Sequence, residues 1–122
     1  AADLPGAWEE AYEKTLGVVP RNDAEGCLQD GHWSAGSFGY FPTYALGNIV
    51  SAQLTAAARA AHPGLEDAIA RGDFAPLTTW LRDNVHAHGS TLPLSARVAE
   101  ATGSPPSLLA YAAYLKERYL SS

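Results

Sequence analysis

The spacing of apolar residues predicts that most of this chain folds into helices. Between Pro42 and Ala61, apolar residues recur at steps of three and four, which is the spacing of one face of an α-helix. The apolar positions of this segment are Leu46, Ile49, Val50, Leu54 and Ala57. This segment is the longest helix that the sequence predicts.

A shorter helix is predicted at the start of the chain. Asp3 is a suitable N-cap residue, and Pro5 fits the first turn, where its missing N–H is not needed. Trp8 and Leu16, with Tyr12 between them, fall on one helical face. The glycine at position 17 provides a stop.

Glycine and proline divide the rest of the chain into four more helical segments. A segment opens at Pro63 and stops at Gly72, and the next, capped by Asp73, ends at Gly89, so we expect the two to be antiparallel neighbours. A third segment carries the apolar residues between 94 and 101 and ends at Gly103. A fourth segment begins at Ser104, which two prolines follow, and runs to Tyr119. The predicted fold class is all-α, an irregular multi-helix array. The length of 122 residues predicts one segment over 1–122 without a second domain.

The interval 18–39 has a different character. It contains four glycines, a proline and an Asn-Asp pair, and it follows neither the helical nor the strand period for long. We predict a glycine-rich structured loop and leave open one short strand near Cys27 and Leu28.

Composition and charge indicate which classes of binding partner the protein can have. Apolar residues make up 47% of the chain and charged residues 17%, which is typical of a globular protein. The net charge of −5 leaves no basic face for nucleic acid or for an acidic membrane surface. The single cysteine, Cys27, cannot form an internal disulfide, so we expect a buried thiol and a reducing compartment. With no apolar run of membrane-spanning length and no signal-peptide pattern, the sequence predicts a cytoplasmic protein.

The loop between Gly26 and Tyr44 concentrates the residues that could carry chemistry. Its polar and aromatic members are Gln29, Asp30, His32, Trp33, Ser34, Tyr40 and Tyr44. The interleaved glycines allow positive φ angles or close backbone approach, as the wall of a binding cleft would need. The alternative is a tightly turned loop in which Asp30 and His32 only satisfy buried backbone groups. Composition does not decide between the two interpretations.

The remaining histidines do not form a recognisable metal motif. A zinc site of the His-Glu-x-x-His type needs two imidazoles on one helical face, and His62 is followed by no second histidine at that spacing. His86 and His88 lie two residues apart and point to different faces of a helix. We expect His88 to be a hydrogen-bonded interface residue, His86 to lie on a polar face, and this chain to contribute no metal ligand.

Two motifs support a resemblance to a known family. GCLQDGHW at 26–33 and GYFPTYALGN at 39–48 resemble the signature of the thermostable carboxypeptidases, the carboxypeptidase Taq family. WLRDNVHAHG at 80–89, and the closing ATG with YAAYLKERY, agree with the same family. The resemblance covers nearly the whole chain and nearly all of the C-terminal quarter of the family.

The resemblance implies a fold and an activity. The chain would be the C-terminal part of a larger helical, zincin-like catalytic domain that releases C-terminal amino acids from peptides with zinc-activated water. Zinc or another divalent metal, and the helix that binds it, would then belong to residues N-terminal to Ala1, so the chain is expected to be inactive alone. The implied partners are peptide C-termini, the N-terminal part of the same enzyme and a second copy in a homo-oligomer, with a large apolar face exposed where the missing helices would pack.

The resemblance also implies roles for three residues of the loop. In related zinc peptidases, a histidine followed by two tyrosines stabilises the transition state, and the order His32, Tyr40, Tyr44 is similar. We expect His32 to hydrogen-bond the scissile region, and one of the two tyrosines to donate to the oxyanion or to the terminal carboxylate of the substrate.

Further residues of the loop are candidates for substrate binding. Gln29 is expected to contact the substrate backbone, and Asp30 to orient His32 as a hydrogen-bond acceptor. Trp33 is a third candidate, although large aromatic residues such as Trp33, Phe38 and Phe41 are more often core than cleft. Arg21, just before the motif, stays without a role.

Two other functions remain open at this stage. The chain could be a stand-alone helical protein-interaction module without catalysis. It could also be a small hydrolase with Asp30 and His32 acting on Ser34 or Ser37 as nucleophile. The second is disfavoured because these residues crowd one loop without an evident pair of oxyanion donors.

Overall fold

A computed structural model describes residues 2–120, which form helices joined by turns. No β-strand occurs in that range, so the all-α prediction is confirmed. The elements are α1 Leu4–Leu16, α2 Gly31–Ser34, α3 Pro42–Ala61, α4 Leu65–Ala70, α5 Ala75–Asn84, a 3₁₀ turn His86–His88, α6 Leu94–Thr102 and α7 Leu108–Tyr119. The chain divides into two compact units, Ala1–Thr43 and Tyr44–Ser122. Among residues 2–120, no helix is both long and apolar enough to cross a membrane.

The short strand considered near Cys27 and Leu28 is wrong. This stretch forms successive tight turns, in which the N–H of Gly26 donates to Asn22 O at 3.0 Å and the N–H of Leu28 donates to Asp23 O at 2.8 Å. Because these backbone groups are satisfied locally, they are not available for a strand ladder.

Helix α1 begins and ends at the predicted positions. It ends at Gly17, whose φ of 68° lies in the left-handed region and whose N–H donates to Glu13 O at 2.8 Å. Asp3 occupies the N-cap position, but its side chain makes no capping hydrogen bond. No residue of the helix is buried.

The helix predicted after Asp73 is shorter than expected. Asp73 does act at its start, because its Oδ1 accepts a hydrogen bond from the N–H of Ala75 at 3.0 Å. The α-helix stops before Val85, which has φ −126° and ψ −62°, and a 3₁₀ turn follows. At this end the side-chain amide of Asn84 donates to Trp80 O at 2.9 Å, so a side chain satisfies a carbonyl of the last turn.

Helix α7 begins later than predicted. Its N-cap is Ser107 rather than Ser104, and the Ser107 hydroxyl accepts a hydrogen bond from the N–H of Leu109 at 3.2 Å. The physical reason is the proline pair, because a residue that precedes proline is disfavoured in the helical region. Ser104 and Pro105 each precede a proline, so the chain becomes helical only after Pro106.

The hydrophobic core of the second unit is small. Its buried centre consists of Ala58 from α3, Leu65 from α4 and Trp80 from α5. The partly buried apolar residues packed against it are Leu54, Ala57, Ile69, Leu77, Leu81 and Ala101. Of the apolar face predicted for α3, Leu54 and Ala57 pack against this core, whereas Leu46 is 47% exposed.

A buried amide joins α3 to the segment between α6 and α7. Gln53 is 7% exposed, and its Nε2 donates to Thr102 Oγ1 at 2.8 Å and to Ser104 O at 2.9 Å. Its Oε1 accepts a hydrogen bond from the N–H of Ser107 at 3.0 Å. Ser107 is the residue immediately before α7. One side chain thus links α3 to the N-cap residue of α7.

Much of α7 is solvent-exposed in this structure. None of its residues is buried, and Leu109 is 80% exposed. Leu108 and Tyr119 are also exposed. The predicted association of the chain through an apolar face stays a prediction.

Candidate functional site

The polar residues of the signature are organised by one short helix in the first unit. Asp30 has extended backbone angles and caps α2, with its Oδ1 accepting a hydrogen bond from the N–H of His32 at 2.9 Å. Because the cap and His32 are two residues apart, the same carboxylate can reach the imidazole ring.

A second hydrogen bond joins the two side chains. Nδ1 of His32 lies 2.6 Å from Asp30 Oδ1, with 9% of the Asp30 side chain and 33% of the His32 side chain exposed. A carboxylate in this position favours the proton on Nδ1, so the ring is oriented with Nε2 on its opposite edge. The arrangement agrees with the predicted contact between Asp30 and His32.

The electrostatics of the pair favour an ionised carboxylate. The pKa of Asp30 is lowered, chiefly by the hydrogen bond from the backbone N–H of His32 and further by the side-chain hydrogen bond and charge of His32. Desolvation acts in the opposite direction but is outweighed. Asp30 is therefore a charged acceptor at neutral pH.

Two aromatic rings contact the imidazole of His32. Tyr40 stacks on it, with ring centroids 4.8 Å apart and planes inclined by 26°. Phe41 meets it edge to face, with centroids 6.2 Å apart and planes inclined by 73°. Ring contacts and the carboxylate together restrict the orientation of His32.

The turn between α2 and α3 brings these rings back to His32. The N–H of Ser37 donates to His32 O at 2.9 Å, which closes the end of α2. Gly36 and Gly39 have φ angles of 74° and 77°, a region that other residues rarely adopt. The glycines that the sequence marked as conformationally special are thus required at these two positions.

An open depression lies beside the Asp30–His32 pair. Its volume is about 390 Å³. The residues that line it are Gln29, Asp30, Gly31, His32, Ala35 and Phe41. Four of the predicted site residues, Gln29, Asp30, His32 and Tyr40, therefore lie at or beside one surface feature.

Trp33 packs away from that lining. Its ring lies 5.8 Å from Trp8 and 5.9 Å from Phe38, measured between centroids, and it is half-buried. The expectation that Phe38 and Phe41 belong to the core is wrong for this structure, because they are 74% and 60% exposed. Phe41 lines the depression, a role that its aromatic character alone did not reveal.

Tyr44 lies in the second unit. It stands in the first turn of α3 and is 53% exposed. The role predicted for it is untested by the structure of either unit.

The turns that precede α2 are tightly packed. Cys27 is 3% exposed, which confirms the predicted buried thiol. At Gly26, an added Cβ would approach Asn22 O to 3.3 Å, so only glycine fits without a shift. Arg21 forms an ion pair with Glu25, with Nε 2.9 Å from the carboxylate.

His86 and His88 lie on the surface, whereas His62 is partly buried. Nε2 of His88 lies 3.1 Å from Asp83 O, so this ring is hydrogen-bonded as expected, although it is exposed rather than at an interface. His86 is exposed as well. Over residues 2–120, no group of three His, Cys, Asp or Glu side chains is arranged to hold a metal ion. The described residues therefore do not fit a complete metal site.

Comparison with known proteins identifies the family. The family model described as carboxypeptidase Taq (M32) metallopeptidase matches residues 1–119. The chain belongs to this family. The match confirms the resemblance drawn from the GCLQDGHW and GYFPTYALGN motifs.

Individual members of the M32 family show how far the similarity extends. Thermostable carboxypeptidase 1 of Thermus thermophilus is 45% identical over 117 residues, which are 96% of this chain and 23% of that protein. The crystal structure of an M32 carboxypeptidase from Deinococcus radiodurans matches 97% of this chain and 24% of its own, with a TM-score of 0.91 and 44% identity. Trypanosoma cruzi metallocarboxypeptidase 1 has the same TM-score at 37% identity, over 98% of this chain and 26% of its own. The chain thus spans about a quarter of the length of these M32 relatives.

Proposed function

We propose that this chain is part of a metallocarboxypeptidase that releases C-terminal amino acids from peptides. In this proposal the chain supplies a substrate-binding and transition-state-stabilising wall and is inactive alone. The single observation that carries the proposal is the Asp30–His32–Tyr40 arrangement, a ring held by a charged carboxylate and a stacked phenol beside an open depression. Membership of a metallopeptidase family, and the printed names of the relatives, support the reaction class.

His32 has the central role in the proposal. Its Nδ1 is engaged by Asp30, so hydrogen bonding to a substrate would use Nε2, at the opposite edge of the ring. A preorganised donor aimed at the developing oxyanion stabilises the transition state more than the ground state. Asp30 is then a positioning residue that fixes the ring with its Nδ1–H toward the carboxylate, and Nε2 donates to the oxyanion when it also carries a proton.

The tyrosines would complete the donor set. Tyr40 stacks on His32, and a phenol is a hydrogen-bond donor at neutral pH. Either Tyr40 or Tyr44 donates to the oxyanion or to the terminal carboxylate of the peptide. Gln29, at the edge of the depression, contacts the peptide backbone. Trp33 stays a candidate for substrate binding, although its ring packs on Trp8 and Phe38 and does not line the depression.

The metal is zinc in this proposal. In this proposal, the metal ligands belong to a part of the enzyme outside residues 2–120. When bound, the metal supplies an activated water. A cytoplasmic location and a homo-oligomeric enzyme complete the proposal.

The role of the wall is tested by substitution in the full-length enzyme. We expect His32→Ala to lower kcat for release of a C-terminal residue by about 10²- to 10³-fold, the usual effect of losing one oxyanion donor. Tyr40→Phe and Tyr44→Phe remove only a hydroxyl, and the one that donates to the oxyanion loses activity similarly. His86→Ala is the matched control, because His86 is exposed and lies outside the cluster.

Unchanged turnover in all three variants would contradict the proposal. The inactivity of the chain is tested by elemental analysis and a peptide-release assay of the 122-residue chain. We expect neither stoichiometric zinc nor release of a terminal residue. One tightly bound zinc per chain would show that the metal site lies within it.

A further inference from the structure

The lining of the depression beside His32 combines an apolar surface with a negative charge. Phe41 is 60% exposed and Ala35 adds a methyl group, while Asp30 contributes its carboxylate. Within residues 2–120, the side chains that line it include no lysine or arginine. Its volume of about 390 Å³ lies near the lower end of small-ligand sites, which are roughly 300 to 1,000 Å³.

The charge of this lining restricts which part of a peptide can occupy it. A terminal carboxylate is normally held by a cation, most often a bidentate arginine. Among residues 2–120, the lining offers no lysine or arginine to bind a terminal carboxylate, and the carboxylate of Asp30 is already engaged by His32. The depression therefore suits an uncharged side chain that lies away from the peptide terminus.

We propose that the depression binds the side chain of the penultimate residue of the substrate, and that Phe41 makes the enzyme prefer apolar residues there and disfavour acidic ones. This inference rests on the proposed function and names the peptides that the same site accepts. We assign the penultimate side chain to the depression because the side chain of the terminal residue lies close to the terminal carboxylate, for which the lining has no lysine or arginine. The edge-to-face contact of Phe41 with His32 places the apolar surface next to the reacting region.

Two peptide series test the proposal in the full-length enzyme. The first series keeps the terminal residue and varies the penultimate residue among Leu, Phe, Ala and Glu; the second varies only the terminal residue. We expect kcat/KM to be highest for penultimate Leu or Phe and lowest for Glu. Phe41→Ala should reduce the Leu-to-Ala ratio of kcat/KM about tenfold, the low end of the 10- to 200-fold that one methylene contributes in a hydrophobic pocket.

The chain offers a matched control and a complementary variant. Phe38→Ala removes the same ring from the same loop, but Phe38 contacts Trp33 and does not line the depression, so the ratio should stay unchanged. Ala35→Leu places a larger side chain in the depression and should lower kcat/KM for penultimate Phe more than for Ala. Ala35 has φ −89°, which leucine adopts without strain.

The outcomes separate this inference from the proposed function. The inference is wrong, while the proposed function stands, if the enzyme hydrolyses peptides but Phe41→Ala changes the preference for the terminal residue instead of the penultimate one. The same holds if Phe38→Ala reduces the Leu-to-Ala ratio as much as Phe41→Ala does. If the wild type hydrolyses no peptide, the proposed function is wrong. Calorimetric binding of the same peptides then still decides the inference, since only Phe41→Ala should weaken binding of penultimate Leu.

Discussion

One oxygen of Asp30 accepts two hydrogen bonds from His32, from the backbone N–H at 2.9 Å and from Nδ1 at 2.6 Å. A single carboxylate thereby starts helix α2 and orients the ring that we place at the centre of the site. Local folding and site geometry are coupled through this residue, so its substitution affects both.

The Asp30 carboxylate gives stability a specific pH dependence. Because the pKa of Asp30 is lowered in the folded chain, its contribution is complete above the ordinary value near 3.8 and is lost as the pH falls through the lower, folded value. We expect Asp30→Asn to lower the thermal midpoint near neutral pH, and the difference from the wild type to shrink in acid. Circular dichroism melts from pH 7 to pH 2 measure it.

The backbone bond provides a control for that experiment. The N–H of His32 is the largest cause of the lowered pKa and survives the change His32→Ala. In that background, Asp30→Asn should keep most of its pH-dependent effect. A difference from the parent that is constant across the pH range would contradict the assignment.

The small core of the second unit makes Leu65 critical for stability. Leu65 is 1% exposed at the centre of the core, and Leu65→Ala should lower the free energy of unfolding by about 2 to 5 kcal/mol. Leu109→Ala is the matched control, because Leu109 is 80% exposed, and should change it by less than about 0.5 kcal/mol. Urea denaturation of the chain measures both, and equal effects would show that the core is elsewhere.

The buried amide of Gln53 is expected to contribute to stability through satisfied hydrogen bonds. Gln53→Ala leaves the N–H of Ser107 and the oxygens near Ser104 without this partner, at a cost of about 1 to 3 kcal/mol. Gln29→Ala is the control on an exposed glutamine and should have little effect on unfolding. Similar losses in the two variants would contradict a structural role for Gln53.

Positive φ angles make one glycine of the signature harder to replace than another. Gly39 has φ 77°, where an L-residue costs roughly 1 to 2 kcal/mol, so Gly39→Ala should destabilise the first unit. Gly31 lies in α2 with no atom within 4 Å of an added Cβ, so Gly31→Ala should be neutral or slightly stabilising. Trp80 of the second unit also emits, so tryptophan fluorescence is followed in a Trp80→Phe background, where it reports on the first unit through Trp8 and Trp33. The reverse order of stability would show that the turn does not need glycine.

Local patterns predicted the helices well where periodicity and punctuation agreed. The bounds of α3 follow from the apolar steps between Pro42 and Ala61, and Gly17 and Gly103 end helices as expected. The prediction was wrong where two local preferences competed. The prolines after Ser104 move the start of α7 to Leu108. Val85 ends α5 and a 3₁₀ turn follows, where one continuous helix was predicted.

The sequence by itself determined the all-α class, the family and the loop that carries the candidate site, because helix period, capping and a contiguous motif are all local properties. It also indicated the contact between Asp30 and His32, which are only two residues apart. Only the tertiary structure revealed that Gln53 bonds Thr102, 49 positions away, and that Phe41 lines a depression while Trp33 packs on Trp8. Such contacts depend on how the chain returns to itself, and no short window of sequence contains that information.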